Sequence, residues 1–593
     1  MPKNEKLDTK RHSLAHVMAA SIQELFPEAK FGVGPVIEDG FYYDVYVNRP
    51  MTPEDLQAIE KRMREKVKQN LRFERSEMPT DAAITMFELF SQSFKVELLQ
   101  DLKTRGTTAV ADLDDANLVG GSVSEVSVYR TGEFTDLCRG PHVTSTSEID
   151  PESFRLTRVS GAYWRGNQAR EQMQRVYGVA FDTKKELEDY FVRLEEARKR
   201  DHRKLGRELG LFTFHQWAPG AAFWLAKGTT LYNTLANYMR EILFPAGYVE
   251  VKTPLIYNKA LWERSGHWKH YKENMFLIES EGETMSMKPM NCPGHFLAYA
   301  SEVRSYRDLP IRFHEQTPLH RNEASGVLSG LTRVRQFSQD DAHCFLMQEQ
   351  IGEEIERLIR LIQRIYGDFG LSFSAKLSTR PDEFLGEIAT WDHAETQLKA
   401  ALDNAKMAYT LNEKDGAFYG PKIDFDITDA IGRNWQCATI QLDYEQPQNF
   451  DLKYIGADNT EHRPVLIHRA IFGSFERFIA ILIEHYAGAF PLWLAPVQAV
   501  MIPIADRHVE YCRQVRDRLN AAGLRVDIDS SVERMNAKIR NAQLQKIPYM
   551  LVVGDREQEQ GAVSVRLRSG EDLKSKPLDE FLAMAKEAVA SKK

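Results

Sequence analysis

Two pairs of residues that can bind zinc stand out near the start of the chain, because the members of each pair are four positions apart. His12 and His16 lie in RHSLAHVMA, and Cys138 and His142 lie in TDLCRGPHV. On a helical turn each pair would face one side, where both members could hold a metal ion. The pattern of a zinc protease is excluded, since Ser13 stands where that helix needs a glutamate. The spacing leaves open both a zinc site and a polar site with another role.

A second set of chemically competent residues lies in the middle of the chain. Arg321 stands two positions before Glu323, which predicts that both side chains face the same way from one strand. Taken singly, each arginine of this region is most simply a partner in a surface ion pair. The other members follow a glycine-containing loop or open a predicted helix, and they are Arg333, Phe337, Gly473, Ser474, Glu476 and Arg477.

The composition predicts a cytoplasmic protein of several domains. The chain has 593 residues, of which 43% are hydrophobic and 27% charged, so more than one core is expected. No apolar run is long enough to span a bilayer, and the first residues lack the apolar segment of a signal peptide. Five scattered cysteines argue against a disulfide framework. A net charge of -8 confines any nucleic-acid contact to local basic surfaces.

Changes in the sequence pattern divide the chain into four parts. The first mixes an amphipathic helix with an alternating strand, and the second is a charged helix, interpreted as a solvated spacer rather than an RNA contact. The third mixes strands and helices irregularly, which indicates an antiparallel sheet in an α+β domain. The fourth alternates them, as in a small α/β domain with a mostly parallel sheet. The predicted boundaries are 1–180, 181–209, 210–495 and 496–593.

Three segments of the central part resemble the three motifs of class II aminoacyl-tRNA synthetases. A helix and strand ending at Pro254 resemble the first, Arg321 to Glu323 the second, and Gly473 to Arg477 the third. MNCPGH, SQDDAH, FYGPKID and IHRAIFGS narrow the resemblance to threonyl-tRNA synthetases, over nearly the whole chain. It implies a multidomain α+β fold: an N-terminal α+β editing domain, a class II antiparallel-sheet catalytic domain and a C-terminal α/β anticodon-binding domain. The implied activity is ATP-dependent attachment of L-threonine to threonine tRNA through a threonyl-adenylate, with hydrolysis of mischarged seryl-tRNA.

The resemblance also assigns an ATP site. Arg321 is the expected partner of the α-phosphate and the threonine carboxylate, which suit a planar guanidinium. Glu323 would accept a hydrogen bond from the adenine amino group, and Phe337 and Arg477 would enclose the adenine ring. Arg333 would lie near the terminal phosphates, where magnesium is expected to accompany ATP.

A zinc ion that selects threonine is a further implication of the resemblance. Cys292, His343 and His468 are far apart in the sequence, and without the family context they would be ordinary buried residues. One cysteine and two histidines fit an open, catalytic zinc site. Zinc that binds both the amine and the hydroxyl of threonine rejects valine, which an apolar pocket discriminates only weakly. The remaining implied residues are Gln339, Asp341, Tyr419 and Gln441 for threonine, Lys422 for activation, and His267 for the terminal adenosine of tRNA.

Serine also carries an amine and a hydroxyl, so this zinc ion cannot exclude it, and one missing methyl is worth only ~1–3 kcal/mol. The first part of the chain resembles the editing domain of bacterial threonyl-tRNA synthetases, which would hydrolyse seryl-tRNA. In the related alanyl editing domain the four soft residues hold a metal, whereas the resemblance implies a metal-free site here. His12 and Lys95 would position water for ester hydrolysis. The implied editing residues are His12, His16, Lys95, Asp136, Cys138 and His142.

The sequence departs from the family pattern at both ends of the chain. Glu559 and Arg568 align with family positions that contact anticodon bases, although two exposed charges on a hairpin explain them nearly as well. The segment SSVERMNAKIR departs from the expected family pattern. Family members usually begin with a ubiquitin-like domain, and because the editing motif starts at His12 we expect this chain to lack it.

We also expect a homodimer, because the helix of the first motif carries an apolar face that needs a partner. Two other functions fit parts of the sequence: a synthetase-like RNA-binding protein without catalysis, and a free-standing hydrolase of mischarged tRNA. The first would have lost motif residues that this chain keeps, and the second would need only the first third of the chain.

Overall fold

In the computed structural model the chain divides into two units, Met1–Glu195 and Glu196–Lys593. The structure describes residues 5–108, 123–167 and 169–592. The elements of the N-terminal unit, the last of which runs into the second unit, are α1 (Glu5–Leu25), β1 (Lys30–Phe31), β2 (Val36–Ile37), β3 (Gly40–Tyr46), α2 (Pro53–Lys68), β4 (Phe73–Pro79), α3 (Thr80–Leu89), α4 (Ser93–Arg105), β5 (Glu125–Thr131), β6 (Phe134–Leu137), β7 (Phe154–Tyr163), β8 (Gln172–Ala180) and α5 (Lys184–Arg200).

Two antiparallel sheets and the buried helix α1 form the N-terminal unit. One sheet has the order β1-β3-β8-β7, with β2 paired to β3, and the other has the order β4-β5-β6. Leu14, Val17 and Met18 of α1 are buried in the same core as residues of β3. The predicted amphipathic helix is confirmed as α2, which Thr52 begins with a capping box, and the predicted strand is confirmed as β5.

The predicted continuous spacer helix is wrong in one respect, because the helix breaks at Asp201. The Asp201 side chain accepts a hydrogen bond from the backbone N–H of Arg203, at 2.8 Å, and so begins a new helix. The imidazole of His202 then turns into the protein, where its Nδ1 lies 2.7 Å from a carboxylate oxygen of Glu484.

The central part of the second unit contains the largest sheet. Its elements are α6 (His202–Glu208), β9 (Phe212–Phe214), β10 (Ala222–Trp224), α7 (Ala226–Leu243), β11 (Val249–Glu250), β12 (Ile256–Asn258), α8 (Lys259–Arg264), α9 (His267–Tyr271), β13 (Leu277–Ser280), β14 (Glu283–Met287), α10 (Cys292–Ala300), β15 (Ile311–Glu315), β16 (Pro318–His320), β17 (Gln336–Ser338), β18 (Asp341–Leu346), α11 (Ile351–Asp368), β19 (Ser372–Ser378), α12 (Ile388–Asn404), β20 (Tyr409–Asn412), β21 (Lys422–Thr428), β22 (Asn434–Asp443), α13 (Gln446–Asn449), β23 (Tyr454–Ile455), β24 (Glu461–His462), β25 (Val465–Ala470) and α14 (Phe475–His485).

The large sheet has the order β11-β15-β18-β25-β22-β21-β19-β20 and is antiparallel except for the pairings at its two ends. Alternation along its strands separates two faces. On β18, Ala342, Cys344 and Leu346 join the main core with residues of α7, α11 and α14. His343, between them, points to the opposite face, and the same alternation applies to β21, β22 and β25. This second face carries the candidate site.

The apolar face of α7 does not need a second subunit, which corrects the prediction made from its sequence. Leu231, Leu235 and Met239 are buried in the core of the same chain. The exposed apolar side chains lie after the helix instead, and they are Phe244, Val249, Leu255 and Ile256.

The C-terminal part of the second unit is the predicted small α/β domain. Its sheet has the order β27-β26-β28-β29-β30, parallel over the first three strands and antiparallel over the last three, so it is more mixed than predicted. Within the described part of the chain, no helix combines the length and the apolar content needed to cross a bilayer. The elements of this domain are β26 (Ala499–Pro503), α15 (Val509–Ala521), β27 (Val526–Ile528), α16 (Met535–Leu544), β28 (Tyr549–Val553), α17 (Asp555–Gln560), β29 (Ala562–Leu567), β30 (Asp572–Pro577) and α18 (Leu578–Ala590).

Candidate functional site

One cysteine and two histidines from three elements meet on the second face of the large sheet. Cys292 is the first residue of α10, and His343 and His468 face each other in the register of β18 and β25. One ligand atom from each lies within 4.8 Å of the others, and all three residues are buried. We call these three residues the central cluster.

Hydrogen bonds leave one ring nitrogen of each histidine free to face the cluster. Nε2 of His468 lies 2.8 Å from a carboxylate oxygen of Asp443, to which it donates, so Nδ1 keeps its lone pair. Nδ1 of His343 lies 2.8 Å from Nδ1 of His295, which leaves Nε2 for a ligand. His295 in turn reaches Glu315, whose carboxylate lies 3.0 Å from its Nε2.

The chemistry of these donors fits a zinc ion. Burial and the neighbouring histidines lower the pKa of His343 well below its usual value, so its imidazole is neutral, as a metal ligand must be. Burial and the charge of Asp341 raise the pKa of the Cys292 thiol, and a divalent cation beside the sulfur would offset both effects. A soft set of one sulfur and two imidazoles is typical of zinc with open coordination positions.

The predicted threonine residues surround the central cluster on the same face. Asp341 accepts a hydrogen bond from the amide of Asn291, at 3.0 Å, and Gln441 is the register partner of His468. The hydroxyl of Tyr419 donates to the side-chain oxygen of Gln441, at 2.7 Å. These side chains give the site polar groups beside the metal ligands.

Two further predicted residues border this face at its edge. The side-chain amide of Gln339 donates to the carbonyl of Gly473, at 2.8 Å, which joins the residue after β17 to the third motif. Lys422 lies between two carboxylates, with Nζ 3.1 Å from Asp424 and 3.2 Å from Asp415.

His267 is buried and holds a defined tautomer. The hydroxyl of Ser265 donates to the carbonyl of Trp262, so it accepts from Nδ1 of His267, at 2.8 Å. Nε2 of His267 therefore carries the lone pair. Burial, with a smaller contribution from His468, lowers the pKa of His267 to about 3, which keeps the ring neutral at physiological pH.

The structure corrects the prediction that Arg321 and Glu323 share one strand. β16 ends at His320, and the backbone N–H of Glu323 donates to the carbonyl of Arg321 in a tight turn, at 2.8 Å. The two side chains consequently have different partners. The guanidinium of Arg321 lies over the ring of Phe337, 5.0 Å from its centroid, whereas Glu323 accepts two hydrogen bonds from Arg333, at 2.9 and 3.0 Å.

Arg477 lies in α14, which begins after Ser474 caps it, as the sequence predicts. Its guanidinium donates to the carbonyls of Thr332 and Gln436, at 3.1 Å each. Arg477 therefore joins the loop after β16 to β22. Tyr271, whose ring lies 5.7 Å from the guanidinium carbon of Arg321, is a neighbour that sequence reasoning missed.

In the N-terminal unit, His12, His16, Cys138 and His142 also converge, and we call them the N-terminal cluster. Their ligand atoms lie within 4.8 Å of one another. The two histidines of α1 share a helix face as predicted, but Cys138 and His142 follow β6 in a loop rather than a helix. Gly140 makes this loop possible, since its φ is +76° and a side chain there would collide with Tyr129.

Two lone pairs of the N-terminal cluster point at the thiol. His12 donates through Nδ1 to the carbonyl of Pro141, at 3.1 Å, and its Nε2 lies 3.3 Å from the sulfur of Cys138. Ser13 donates to a backbone carbonyl, so it accepts from Nδ1 of His142, whose Nε2 also lies 3.3 Å from that sulfur. Burial lowers the pKa of His142 to about 2 and raises that of Cys138 to about 11, so both groups are neutral at pH 7.

A buried ion pair adjoins the N-terminal cluster. Nζ of Lys95 lies 2.5 Å from one carboxylate oxygen of Asp136 and 3.1 Å from the hydroxyl of Tyr43. Tyr43 also donates to Asp136, and Nε2 of His16 lies 3.6 Å from that carboxylate. Sequence reasoning missed Tyr43, whose only signal is a buried position in the alternating strand β3.

The predicted anticodon residues lie in different environments. Glu559 is exposed in α17. Arg568, just after β29, is half-buried, and its guanidinium donates to the carbonyls of Phe490 and Lys546, at 2.6 and 3.3 Å. In this structure Arg568 thus joins the C-terminal sheet to the chain that precedes it.

Known protein families match segments of the N-terminal unit and of the central and C-terminal parts of the second unit. Residues 276–486 match the class II core domain of tRNA synthetases for G, H, P, S and T, residues 498–588 match an anticodon binding domain, and residues 126–177 match the second additional domain of threonyl and alanyl tRNA synthetases. Together with the sheet and its motifs, these matches define a class II aminoacyl-tRNA synthetase with an editing domain.

Individual relatives narrow the class. A threonine–tRNA ligase of Myxococcus xanthus is 52% identical over 98% of this chain and 89% of its own length. One of Symbiobacterium thermophilum is also 52% identical, over 98% of this chain and 86% of its own length. The solved RNA binding domain of threonyl-tRNA synthetase from Cryptosporidium parvum Iowa II is 44% identical, with a TM-score of 0.64, over 65% of this chain and 98% of that one. The chain belongs to the threonyl-tRNA synthetase family, and it is an enzyme with the ligase and editing domains of that family.

Proposed function

We propose that the second face of the large sheet activates L-threonine with ATP and transfers it to threonine tRNA, and that the N-terminal unit hydrolyses mischarged seryl-tRNA. Cys292, His343 and His468 are the residues that would hold zinc. When bound, the zinc ion supplies a Lewis acid that takes the amine and the hydroxyl of threonine together, which valine cannot match. Asp341 would accept the hydrogen of the threonine hydroxyl, and Gln339, Tyr419 and Gln441 would complete the pocket.

Arginine and glutamate side chains of the loops would bind ATP. Arg321 can offer two parallel donors to the α-phosphate, and Lys422 adds positive charge for activation. Arg333 and Glu323 hold each other before ATP arrives, so we infer that binding separates them. Glu323 would then accept from the adenine amino group and Arg333 would move to the terminal phosphates, where Mg²⁺ accompanies ATP. The adenine ring would lie between Phe337 and Arg477.

His267 would assist the transfer step. Its Nε2 lone pair is free because Nδ1 is held by Ser265, and the low pKa keeps it unprotonated. A neutral imidazole nitrogen in this position can accept the proton of a ribose hydroxyl at the end of the tRNA as that oxygen attacks the adenylate.

The editing reaction would use the N-terminal cluster without a metal ion. His12 is neutral, since burial lowers its pKa, and it can order the attacking water. Lys95 is a cation beside the cluster and can stabilise the oxyanion that forms on the ester carbonyl. His16, Asp136, Cys138 and His142 would hold these two groups in place.

The proposal extends to the organisation of the protein. We assign the boundaries 1–180, 181–209, 210–495 and 496–593, with contacts to the anticodon by Glu559 and Arg568 and a cytoplasmic location in which the free cysteines stay reduced. We also propose a homodimer. The four exposed apolar residues that follow α7 in the sequence support it, because exposed apolar side chains are candidates for subunit contacts.

One observation carries the synthetic assignment: the central cluster, Asp341 and Gln441 share one face of the sheet. The test is ATP–pyrophosphate exchange with single amino acids. We expect exchange with threonine, weaker exchange with serine, and none above background with valine. Exchange with valine at the rate found for threonine would overturn the proposal that zinc selects threonine by binding both its amine and its hydroxyl.

A further inference from the structure

The buried hydrogen bonds behind His343 form a chain that ends at a carboxylate. We propose that His295 and Glu315 are positioning residues that fix the tautomer of His343 and so present its Nε2 to the metal. This inference depends on the zinc site proposed above. His295 lies in α10, one turn after Cys292, and Glu315 ends β15, two positions beyond the register partner of His343.

The first hydrogen bond of this series involves Glu315, which is wholly buried. Its Oε1 accepts hydrogen bonds from Nζ of Lys288, at 2.9 Å, from the hydroxyl of Thr317, at 2.6 Å, and from the backbone N–H of Thr253, at 2.8 Å. Its Oε2 lies 3.0 Å from Nε2 of His295 and also accepts from the hydroxyl of Thr253, at 2.9 Å. An ionised carboxylate only accepts, so the hydrogen of His295 must be on Nε2.

The direction of the second hydrogen bond follows from the first. With its hydrogen on Nε2, His295 has a lone pair on Nδ1, 2.8 Å from Nδ1 of His343. His343 must then donate from Nδ1, since two N–H groups or two lone pairs facing each other at that distance repel. Its Nε2 is left with a lone pair toward Cys292 and His468. All three partners are buried, so water cannot replace a missing link.

The two histidines of the central cluster are thus oriented in different ways. Asp443 contacts His468 directly, whereas the carboxylate that orients His343 acts through a second imidazole. Outer groups of this kind hold a metal ligand in one tautomer, and their loss typically weakens metal binding ~10–100-fold. The helix that contributes Cys292 therefore also contributes the support of a second ligand.

The sharpest test is Glu315→Gln, which preserves the shape of the side chain. Three donors meet Oε1, whereas the hydroxyl of Thr253, which meets Oε2, can rotate toward Oε1. The carbonyl of the glutamine must therefore occupy the position of Oε1, and its NH₂ must face His295. Nε2 of His295 would then accept, its hydrogen would move to Nδ1, and His343 would be forced into the tautomer that cannot ligate. We expect zinc to bind E315Q ~10–100-fold more weakly than the full-length parent protein.

A substitution of His295 makes the test independent of folding. In His295→Asn the side-chain oxygen takes the position of Nδ1 and accepts from His343 whatever residue stands at 315. We expect H295N to weaken zinc binding less than His295→Leu does. When E315Q is combined with H295N, we expect the zinc Kd to rise by less than a further threefold. His508→Asn is the matched control, because His508 is a buried histidine paired to Asp555 in the C-terminal domain.

The measurements are the zinc Kd from competition with a chromophoric chelator, the visible absorption of the cobalt-substituted protein, and thermal melting as a check on folding. A zinc affinity of E315Q within threefold of the parent would overturn the inference, as would an equal effect of E315Q in both backgrounds. Cys292→Ala is measured in parallel. If C292A keeps its zinc, the proposed zinc site fails, whereas loss of zinc in C292A with normal E315Q removes only the role of Glu315 and His295.

Discussion

The central cluster and the N-terminal cluster bring the same kinds of ligand atom equally close together, yet their surroundings differ. Each brings imidazole nitrogens and a cysteine sulfur within 4.8 Å. In the central cluster the outer nitrogens of both histidines lead to carboxylates, through Asp443 and through Glu315. Asp443 can compensate the charge of a bound cation, whereas Glu315 is paired with Lys288 and acts by fixing the tautomer of His343.

Among the described residues, the carboxylate that adjoins the N-terminal cluster is already neutralised. Asp136 is paired with Lys95 and accepts from Tyr43, and the outer nitrogens of His12 and His142 lead to a neutral carbonyl and a hydroxyl. A second cation placed beside the Lys95 ammonium would be repelled. The comparison teaches that the number of ligand atoms does not identify a metal site. The charges of the groups that contact the ligand residues decide whether a cation is favoured.

The largest expected contrast comes from removing the cysteine sulfur of each cluster in turn, because only the central cluster should lose zinc. We predict that Cys292→Ala loses its zinc and that threonine-dependent exchange falls ~10³-fold, since a catalytic metal supplies several kcal/mol of charge stabilisation. Cys138→Ala should keep one zinc per chain and normal exchange. Metal analysis of both purified variants checks this. Zinc that persists in C292A and disappears in C138A would reverse the assignment.

The next effect separates the two activities. His12→Ala or Lys95→Ala removes a group that orders water or stabilises charge, and hydrolysis of seryl-tRNA should fall ~10²–10⁴-fold. Threonine activation should be unchanged in both variants, so they should accumulate seryl-tRNA. The parent should spare threonyl-tRNA, because its extra methyl group crowds the editing pocket. The measurement follows labelled seryl-tRNA, and normal hydrolysis in a His12, Lys95 double variant would contradict the editing site.

A smaller effect is expected at Tyr43, which the sequence did not indicate. Its hydroxyl is hydrogen-bonded to Asp136 and Lys95, and Tyr43→Phe removes both bonds while the ring stays in place. We predict about a tenfold loss of seryl-tRNA hydrolysis, the size of one or two buried hydrogen bonds. Tyr46→Phe, on the same strand with its ring against Phe94, is the control. Equal rates in Y43F and Y46F would remove Tyr43 from the site.

The sequence encodes the face of each strand better than the partners of each side chain. On β18 and β25 the apolar neighbours of His343 and His468 are buried in the main core and the two histidines face the other way, an alternation from which no prediction was made. That the two histidines meet Cys292 came only from the family resemblance, because no local pattern encodes which strands pair. His295 had one local signal, its place in MNCPGH, but its link to Glu315 depends on the packing of α10 against β15.

Local propensity also explains the errors. A helical pattern continues through residue 201, but the carboxylate of Asp201 can bond to the backbone N–H of Arg203, and this cap competes with the helix. Arg321 and Glu323 have the spacing of one strand face, yet the strand ends one residue earlier. The apolar face of α7 was correctly identified, but a sequence cannot distinguish burial within the chain from burial against a second subunit.

The smallest effect concerns pH, and we expect it to be small in both regions. Burial lowers the pKa of His12 below its usual value near 6.5, and the neutral form is the one that can order water. A lowered pKa means that the neutral form already predominates at pH 6.5 and is lost as the pH falls through the folded value. Seryl-tRNA hydrolysis, divided by the uncatalysed rate, should therefore change less than about twofold between pH 6.5 and 8. Threonine transfer should be equally insensitive over this window as far as His267 is concerned, since its pKa is lowered to about 3. A parent deacylation rate that falls by half or more at pH 6.5, while the residual rate of His12→Ala stays constant over the same range, would show that His12 titrates normally. The water-ordering role would then belong to another member of the N-terminal cluster.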